Sequence, residues 1–156
     1  MKKILVFLLL IFYINAESVV FTYSVKANGR ILPEVKSSDP DAYAGNIGQE
    51  ITDIAIKASR GQVSYRVHVK NGNWLPYVAG YDWADPKKGY AGNGKPIDLV
   101  EVIATECDPL YRVSTLNGRY LPWQKENFKD GMDGYAGNLG QSIDAFQIFT
   151  SCPSRN

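Results

Sequence analysis

The sequence predicts an all-β domain made of three similar units, and three observations predict it. The phrase Tyr-Ala-Gly-Asn occurs at 43–46, 90–93 and 135–138, a spacing of about 45 residues. Self-similarity at a fixed period of about 20–50 residues is typical of repeat architectures. Segments of alternating apolar and polar residues precede each copy, and turns rich in Gly and Asn separate the segments. No segment has a convincing helical periodicity.

Each repeat contains the same features in the same order. An alternating segment comes first, then Asn-Gly followed by Leu-Pro, then the shared phrase and a closing apolar segment. The alternating segments are 21–27, 63–70 and 110–116. The repeats extend over 19–59, 61–106 and 108–152. Because no linker rich in Pro, Gly or Ser separates them, they are predicted to form one domain over 17–156.

Within a repeat, the elements follow from local chemistry. Val63, Tyr65, Val67 and Val69 alternate with polar residues, which predicts a strand with one buried face. Asn-Gly predicts a tight turn after this strand. A short second strand is expected from Trp74 to Val78, where the central proline suits an edge or a bulge. The final strands are predicted to open at Ile51, Ile97 and Ile143.

One such repeat is too small to bury a sheet face alone. Three repeats closed around a pseudo-threefold axis would share one core and leave no exposed sheet edges. The sequence therefore predicts a closed three-part fold of the β-prism or β-trefoil type. The repeat length suits either type.

The first sixteen residues have the layout of a secretory signal peptide. Lys2 and Lys3 precede an apolar run over 4–14, and Ala16 offers a small residue for cleavage. The apolar run is shorter than the about 20 residues that span a bilayer. The sequence thus predicts export and a secreted protein, with no membrane insertion after cleavage.

The charge balance excludes some partners. Without the two lysines of the signal peptide, the 17 basic residues fall to 15, against 16 acidic ones. Nucleic-acid binding requires a basic surface, which this balance does not favour. No polybasic patch indicates anionic lipid. The expected partner is either neutral or bound through shape and stacking.

The two cysteines occupy matching positions in the second and third repeats. Cys107 and Cys152 each follow the glycine of their shared phrase by the same interval, and Arg60 stands at that position in the first repeat. In an oxidising compartment the pair is expected to form a disulfide. Free or metal-binding thiols are the alternative. Since the chain has one histidine and no cluster with zinc spacing, no metal or other cofactor is expected.

The repeats resemble a known group of modules. The stretches YRVHVKNGNWLPYV…YAGNGKPIDLVEV and YRVS…NGRYLPWQ…DGYAGNLGQSIDAFQI are similar to the non-catalytic C-terminal modules of secreted amidases and lysozyme-type muramidases of Firmicutes. They are more distantly similar to the clostridial hydrophobic-W repeat. The piece Ala-Gly-x-x-Gly-Gln matches at 44–49 and 136–141, whereas Lys95 replaces Gln in the second repeat.

The resemblance implies a module that targets a cell wall or glycan, standing alone and without an activity of its own. The hairpin tryptophan of that group is present only as Trp74, and Ile31 and Tyr120 take its place in the other repeats. No hydrolase domain of the kind that precedes such modules is recognisable in the sequence.

Aromatic residues supply the candidate binding site. Sugar rings have apolar faces and a hydroxyl rim, so a site for them needs flat aromatic rings beside short polar groups. The candidate ligand-binding residues are Trp74, Tyr77, Tyr81, Asp82, Trp83, Tyr120, Trp123 and Asp133. An alternative role for Trp74 and Tyr120 is to fill the core between repeats. Trp83, in a variable loop, is the better candidate for an exposed platform.

Catalysis is not predicted. His68 lies on the polar side of its strand and is expected at the surface rather than as a base. Asp98 and Asp144 stand at matching positions in two repeats, which favours a structural role in accepting turn amides over paired catalytic carboxylates. The leading function is therefore a carbohydrate-binding module for peptidoglycan or a related wall glycan. A secreted structural, adhesin or protein-interaction domain is the alternative, and a cell-wall hydrolase is the least favoured.

Overall fold

The structure, a computed structural model, describes residues 18–126 and 134–150. The predicted signal peptide, Asp133 and Cys152 lie outside these residues. The described residues contain β-strands and no helix, which confirms the all-β class. The strands are β1 (Phe21–Ala27), β2 (Arg30–Ile31), β3 (Val35–Lys36), β4 (Ala44–Gly45), β5 (Ile51–Ala58), β6 (Val63–Val69), β7 (Ala91–Gly92), β8 (Ile97–Ala104), β9 (Leu110–Thr115), β10 (Arg119–Tyr120), β11 (Ala136–Gly137) and β12 (Ile143–Phe149).

The long strands form three antiparallel pairs. β1 pairs with β5, β6 with β8, and β9 with β12, so each pair joins the first and last strands of one sequence repeat. The alternating segments form the first strand of each pair, as predicted. The second strands begin at Ile51, Ile97 and Ile143, which confirms the predicted starts.

The chain between the paired strands returns through an Asn-Gly turn. In the first repeat this turn is the two-residue connection between β1 and β2, where Asn28 and Gly29 have φ angles of 50° and 71°. In the second repeat the returning segment forms only isolated bridges, Trp74 to His68 and Val78 to Tyr65. The short strand predicted from Trp74 to Val78 is therefore reduced to a bridge at each end, because the proline between the two bridges has no N–H to donate.

Each long pair contains one β-bulge near its Asn-Gly end. The register shifts there leave Thr52, Asp98 and Asp144 without a partner on the opposite strand. A bulge redirects the side chain of the extra residue. The side chains of these three residues therefore do not follow the alternation of inward and outward directions along their strands.

The Ala-Gly pairs of the shared phrase form two-residue strands that connect different repeats. β4 pairs with β12, β7 with β5, and β11 with β8. The approach is close: Gly137 has a φ of 128°, and a Cβ placed there would lie 1.9 Å from the carbonyl oxygen of Asp98. Glycine is thus required where one repeat crosses the next.

The core collects the inward side chains of all three long pairs. Tyr23, Tyr65 and Tyr111 occupy matching positions and are fully buried. Each hydroxyl donates to a backbone carbonyl, on Ala42, Gly80 and Gly134 respectively. No helix within the described residues is long and apolar enough to cross a membrane.

Candidate functional site

The first part of the candidate site is an arginine stacked on two aromatic rings of the second repeat. The guanidinium of Arg66 lies 4.4 Å from the ring centre of Trp74 and 4.5 Å from that of Tyr77. Its Nε also donates a hydrogen bond to Glu101, which is 4% exposed. The arginine is therefore anchored from below by a carboxylate, and it fixes the two rings beside each other.

The third repeat contains the same arrangement. The guanidinium of Arg112 lies 4.2 Å from the ring centre of Tyr120 and 4.3 Å from that of Trp123. Its Nε donates to Oε1 of Gln147 at 2.9 Å. We call these two clusters the Arg66 stack (Arg66, Trp74, Tyr77) and the Arg112 stack (Arg112, Tyr120, Trp123). Four of the predicted site residues thus lie in two equivalent clusters.

The tyrosine of the shared phrase lies beside the stack of another repeat. The ring centres of Tyr135 and Trp74 are 6.1 Å apart. Burial raises the pKa of Tyr120, the guanidinium of Arg112 lowers it, and Tyr43 and Asp144 raise it further. The shared phrase of the third repeat therefore contributes an aromatic side chain beside the Arg66 stack.

The other two aromatic residues of the second repeat lie elsewhere. Trp83 packs against Tyr90 with ring centres 5.1 Å apart, and Nζ of Lys26 lies 5.4 Å from the Trp83 ring. The hydroxyl of Tyr81 donates to Glu34 at 2.6 Å. The structure therefore places Tyr81 and Trp83 against side chains of the first repeat and apart from the Arg66 stack.

Exposure differs among the candidate residues. Tyr77 is 42% exposed and Tyr43 is 41% exposed. The other aromatic candidates are partly buried: Trp74, Tyr81, Trp83, Tyr120 and Trp123. Trp74 and Tyr120 are thus outside the buried core. Asp82 is exposed, and its carboxylate accepts the amide of Ala84 at 2.8 Å, which is a loop-shaping contact.

The repeated aspartates hold turns of other repeats. Asp98 accepts the amide of Gly140 at 2.7 Å, and Asp144 accepts the amide of Gly48 at 2.8 Å. In the first repeat the neighbouring Asp53 accepts the amide of Gly94 at 3.2 Å. The predicted role of Asp98 and Asp144 in accepting turn amides is confirmed.

The predicted surface position of His68 is wrong. His68 is 8% exposed, its Nδ1 lies 2.7 Å from Asp98 Oδ1, and its ring packs edge-on against Trp74. The polar side of its strand is covered because the returning hairpin folds over it. No group of three or more His, Cys, Asp or Glu side chains in the described part of the chain is placed to hold a metal ion.

Arg66 and Arg112 are the functional candidates that sequence reasoning missed. Both stand one residue after a buried tyrosine, Tyr65 or Tyr111, at matching positions of two repeats. Ser24 occupies this position in the first repeat, where Ile31 also replaces the hairpin aromatic. The first repeat thus lacks both the arginine and the hairpin aromatic. This joint replacement is the sequence signal that could have identified the stacks.

Comparison of the chain with protein-family models, with curated proteins and with solved structures finds no match.

Proposed function

We propose that the protein is a secreted, non-catalytic carbohydrate-binding module that recognises peptidoglycan or a related cell-wall glycan. The observation that carries this proposal is the pair of equivalent stacks, in which an anchored arginine holds two aromatic rings at the surface. Aromatic rings bind the apolar faces of sugars, and the hydroxyl rim needs polar partners close by. The exposed ring of Tyr77 provides the first of these requirements.

The polar partners lie beside the same rings. Burial and hydrogen bonding to Glu101 raise the pKa of Tyr77 to about 12, which shows that its hydroxyl lies against this carboxylate. Burial also raises the pKa of Glu126, as do the nearby carboxylates of Asp108 and Glu101. Glu101 is buried and holds Arg66, whereas Glu126 is partly exposed, so its carboxylate is the suitable acceptor for sugar hydroxyls.

Preorganisation favours binding at these stacks. A side chain that must be immobilised costs about 0.5–1.5 kcal/mol of binding free energy. Arg66 is held by Glu101 and Arg112 by Gln147 before any ligand arrives. The rings that they contact therefore lose less conformational entropy on binding than free surface rings would.

We also propose that the three repeats close around a pseudo-threefold axis. The supporting observation is that each Ala-Gly strand pairs with the closing strand of a different repeat, in one cyclic order: first to third, second to first, third to second. The three separate antiparallel sheets favour the β-prism over the β-trefoil. Closure would present the stacks on different sides of one rigid body.

A disulfide between Cys107 and Cys152 stays part of the proposal. Cys107 is 7% exposed, and no free cysteine lies in the described part of the chain. By the chain-entropy model, closing a loop of about 45 residues would stabilise the fold by roughly 4 kcal/mol. Such a bond is consistent with the proposed export.

Sedimentation with insoluble polymers tests the function. The mature protein is incubated with peptidoglycan, chitin or cellulose, and the bound fraction is measured after centrifugation. We expect binding to peptidoglycan, and we expect the combined Trp74→Ala and Tyr77→Ala substitutions to reduce it at least several-fold. Two weak sites on one polymer gain avidity of about 10²–10⁴ over one site, so loss of one stack is measurable.

Ile31→Ala is the matched control. Ile31 holds the position of Trp74 in the first repeat, is 51% exposed and has a serine where the arginine would stand. The control should bind as wild type. Binding to none of the three polymers, or equal binding by the double variant, would refute the proposal. Release of reducing ends or stem peptides from the wall would favour the hydrolase instead.

A further inference from the structure

A polar pocket lies away from both arginine stacks, where the second and third repeats meet near their turns. Its volume is about 510 Å³, which is sufficient for a ligand of monosaccharide size. The polar residues that line it are Lys70, Thr115, Arg119, Asn138, Gln141 and Ser142. No residue of the Arg66 stack or the Arg112 stack lines it. The pocket is therefore separate from the surface proposed above.

The pocket carries an excess of positive charge. Nζ of Lys70 donates to Ser142 at 3.0 Å and lies 3.8 Å from Glu50, so one carboxylate partly balances this lysine. Arg119 is exposed, and no carboxylate within the described residues forms an ion pair with its guanidinium. Two cations thus face the pocket against one nearby anion.

Hydrogen-bond donors also outnumber acceptors there. Nδ2 of Asn138 donates to Oε1 of Gln141 at 3.1 Å, which uses the acceptor of Gln141 and leaves its Nε2 group able to donate. The hydroxyl of Ser142 donates to Glu50. With five N–H groups of Arg119 and the ammonium of Lys70, the site suits a ligand that supplies acceptor oxygens.

A second pocket nearby shows what distinguishes this one. It has a volume of about 630 Å³ and is formed largely by the first repeat. Lys26, Glu50 and Thr52 line it, whereas Arg30, the counterpart of Arg119, does not. In that pocket a carboxylate accompanies the lysine and no arginine is present. Arg119 and its positive charge thus distinguish the pocket of Lys70 and Arg119 from this second pocket.

From these observations we propose that the pocket of Lys70 and Arg119 binds the oxyanion of a sugar-sized ligand. The shared chemistry is a carboxylate or a phosphate attached to a hydroxylated ring. Arg119 makes the bidentate contact with the oxyanion, and Lys70 adds a point charge. Asn138 and Gln141 bind the hydroxyl groups of the ring.

Titration calorimetry of the purified mature chain at low ionic strength tests this site with three soluble probes. N-acetylmuramic acid carries a carboxylate, N-acetylglucosamine 6-phosphate carries a phosphate, and N-acetylglucosamine carries no charge. We expect at least one charged probe to bind at least tenfold more tightly than the neutral sugar. We also expect its affinity to fall as salt is added. Which charged probe binds better identifies the source of the oxyanion.

Arg119→Gln should weaken binding of the preferred charged probe by about tenfold or more, the loss expected for a charge-assisted contact. Arg30→Gln is the control, since Arg30 follows the equivalent Asn-Gly turn but lies outside the pocket, and it should bind as wild type. Equal affinity for charged and neutral probes, or an unchanged affinity in Arg119→Gln, would overturn the proposal. The combined Trp74→Ala and Tyr77→Ala substitutions should leave binding of the charged probe unchanged. A failure of the proposed function at the stacks is therefore distinguishable from a failure of the pocket proposal.

Discussion

The ring of His68 and the carboxylate of Asp98 form a buried pair, with Nδ1 and Oδ1 separated by 2.7 Å. Asp98 is the extra residue of a β-bulge, and its second carboxylate oxygen accepts the amide of Gly140 from the third repeat. One side chain therefore joins the strand of its own repeat to the turn of the next. The bulge is necessary for this geometry, because a regular strand would direct the carboxylate elsewhere.

Removal of an aspartate carboxylate that accepts turn amides should destabilise the fold, and we expect the largest effect at Asp144. Oδ2 of Asp144 accepts the amides of Gly48, Asn117 and Gly118 at 2.8, 2.8 and 3.2 Å. These hydrogen bonds are part-buried, and each bond to a charged carboxylate contributes about 1.5–3 kcal/mol. We expect Asp144→Ala to lower the free energy of unfolding by at least about 3 kcal/mol, measured by urea denaturation.

The comparison variants for this prediction are Asp53→Ala and Asp82→Ala. Asp53 accepts the amide of Gly94 at the longer distance of 3.2 Å, so its loss should cost less than that of Asp144. Asp82 is exposed and shapes only its own loop, so its loss should cost below about 1 kcal/mol. Equal destabilisation by all three variants would contradict the prediction.

The crossing of one repeat over the next predicts a sharp difference between two glycines of the third repeat. A Cβ at Gly137 would meet the carbonyl oxygen of Asp98 at 1.9 Å, whereas a Cβ at Gly140 would meet nothing within 4 Å. Both have positive φ angles, so both alanine variants carry backbone strain, which is about 1–2 kcal/mol at Gly140, whose φ of 82° lies nearer the left-handed helical region. Gly137→Ala should cost more than about 4 kcal/mol or prevent folding. Thermal denaturation of both variants measures the difference, and similar melting temperatures would disprove it.

The sequence was sufficient to predict the long strands, because their signal is local. Alternation from Phe21 and from Val63 marks β1 and β6, and the apolar segments after Ile51 and Ile97 mark their partners. The pairing of Ala-Gly strands between repeats could not be predicted from the sequence, since it depends on residues far apart in the chain. The same holds for the bulges, which change the direction of a side chain without changing composition.

The sequence predicts the aromatic candidates but not how they group in space. Trp74 and Trp83 are close in sequence, whereas in the structure Trp83 packs beside Lys26 of the first repeat. The alternation also predicts His68 at the surface, because it implies that the polar face of the strand meets water. The hairpin that covers this face cannot be placed from periodicity alone.

The buried tyrosines predict a loss of stability in alkali. Burial raises the pKa of Tyr23 and of Tyr65 from 10.0 to about 12, and it also raises that of Tyr111. Between about pH 10 and 12 the unfolded chain loses protons that the folded chain keeps, so the free energy of unfolding falls as the pH rises. This part of the free energy of unfolding is fully present below pH 10. Its loss as the pH rises amounts to about 2–3 kcal/mol for each of Tyr23 and Tyr65.

Tyrosinate absorbance and circular dichroism, recorded together against pH, check this expectation. A fraction of the tyrosines should ionise only as the β-sheet signal is lost. Reversible ionisation of every tyrosine near pH 10 in a chain that stays folded would contradict it. Tyr23→Phe keeps the ring and removes the ionising group, so this variant should resist alkali better than wild type, relative to their stabilities at neutral pH.

Substitution of Trp83 distinguishes a role of this residue in ligand binding from a role in packing. Its ring is partly buried, with Tyr90 at 5.1 Å and the ammonium of Lys26 at 5.4 Å. An aromatic pair of this kind contributes about 0.5–1.5 kcal/mol, so Trp83→Ala should shift the thermal midpoint by only a few degrees. Trp83 lies outside both stacks but remains a candidate ligand-binding residue, so we expect the same variant to reduce sedimentation with peptidoglycan, by less than the combined Trp74→Ala and Tyr77→Ala substitutions do. Lys87→Ala, an exposed change in the same loop, is the control and should change neither property. Unfolding of Trp83→Ala would instead make Trp83 part of the core, and unchanged sedimentation would exclude it from the binding surface.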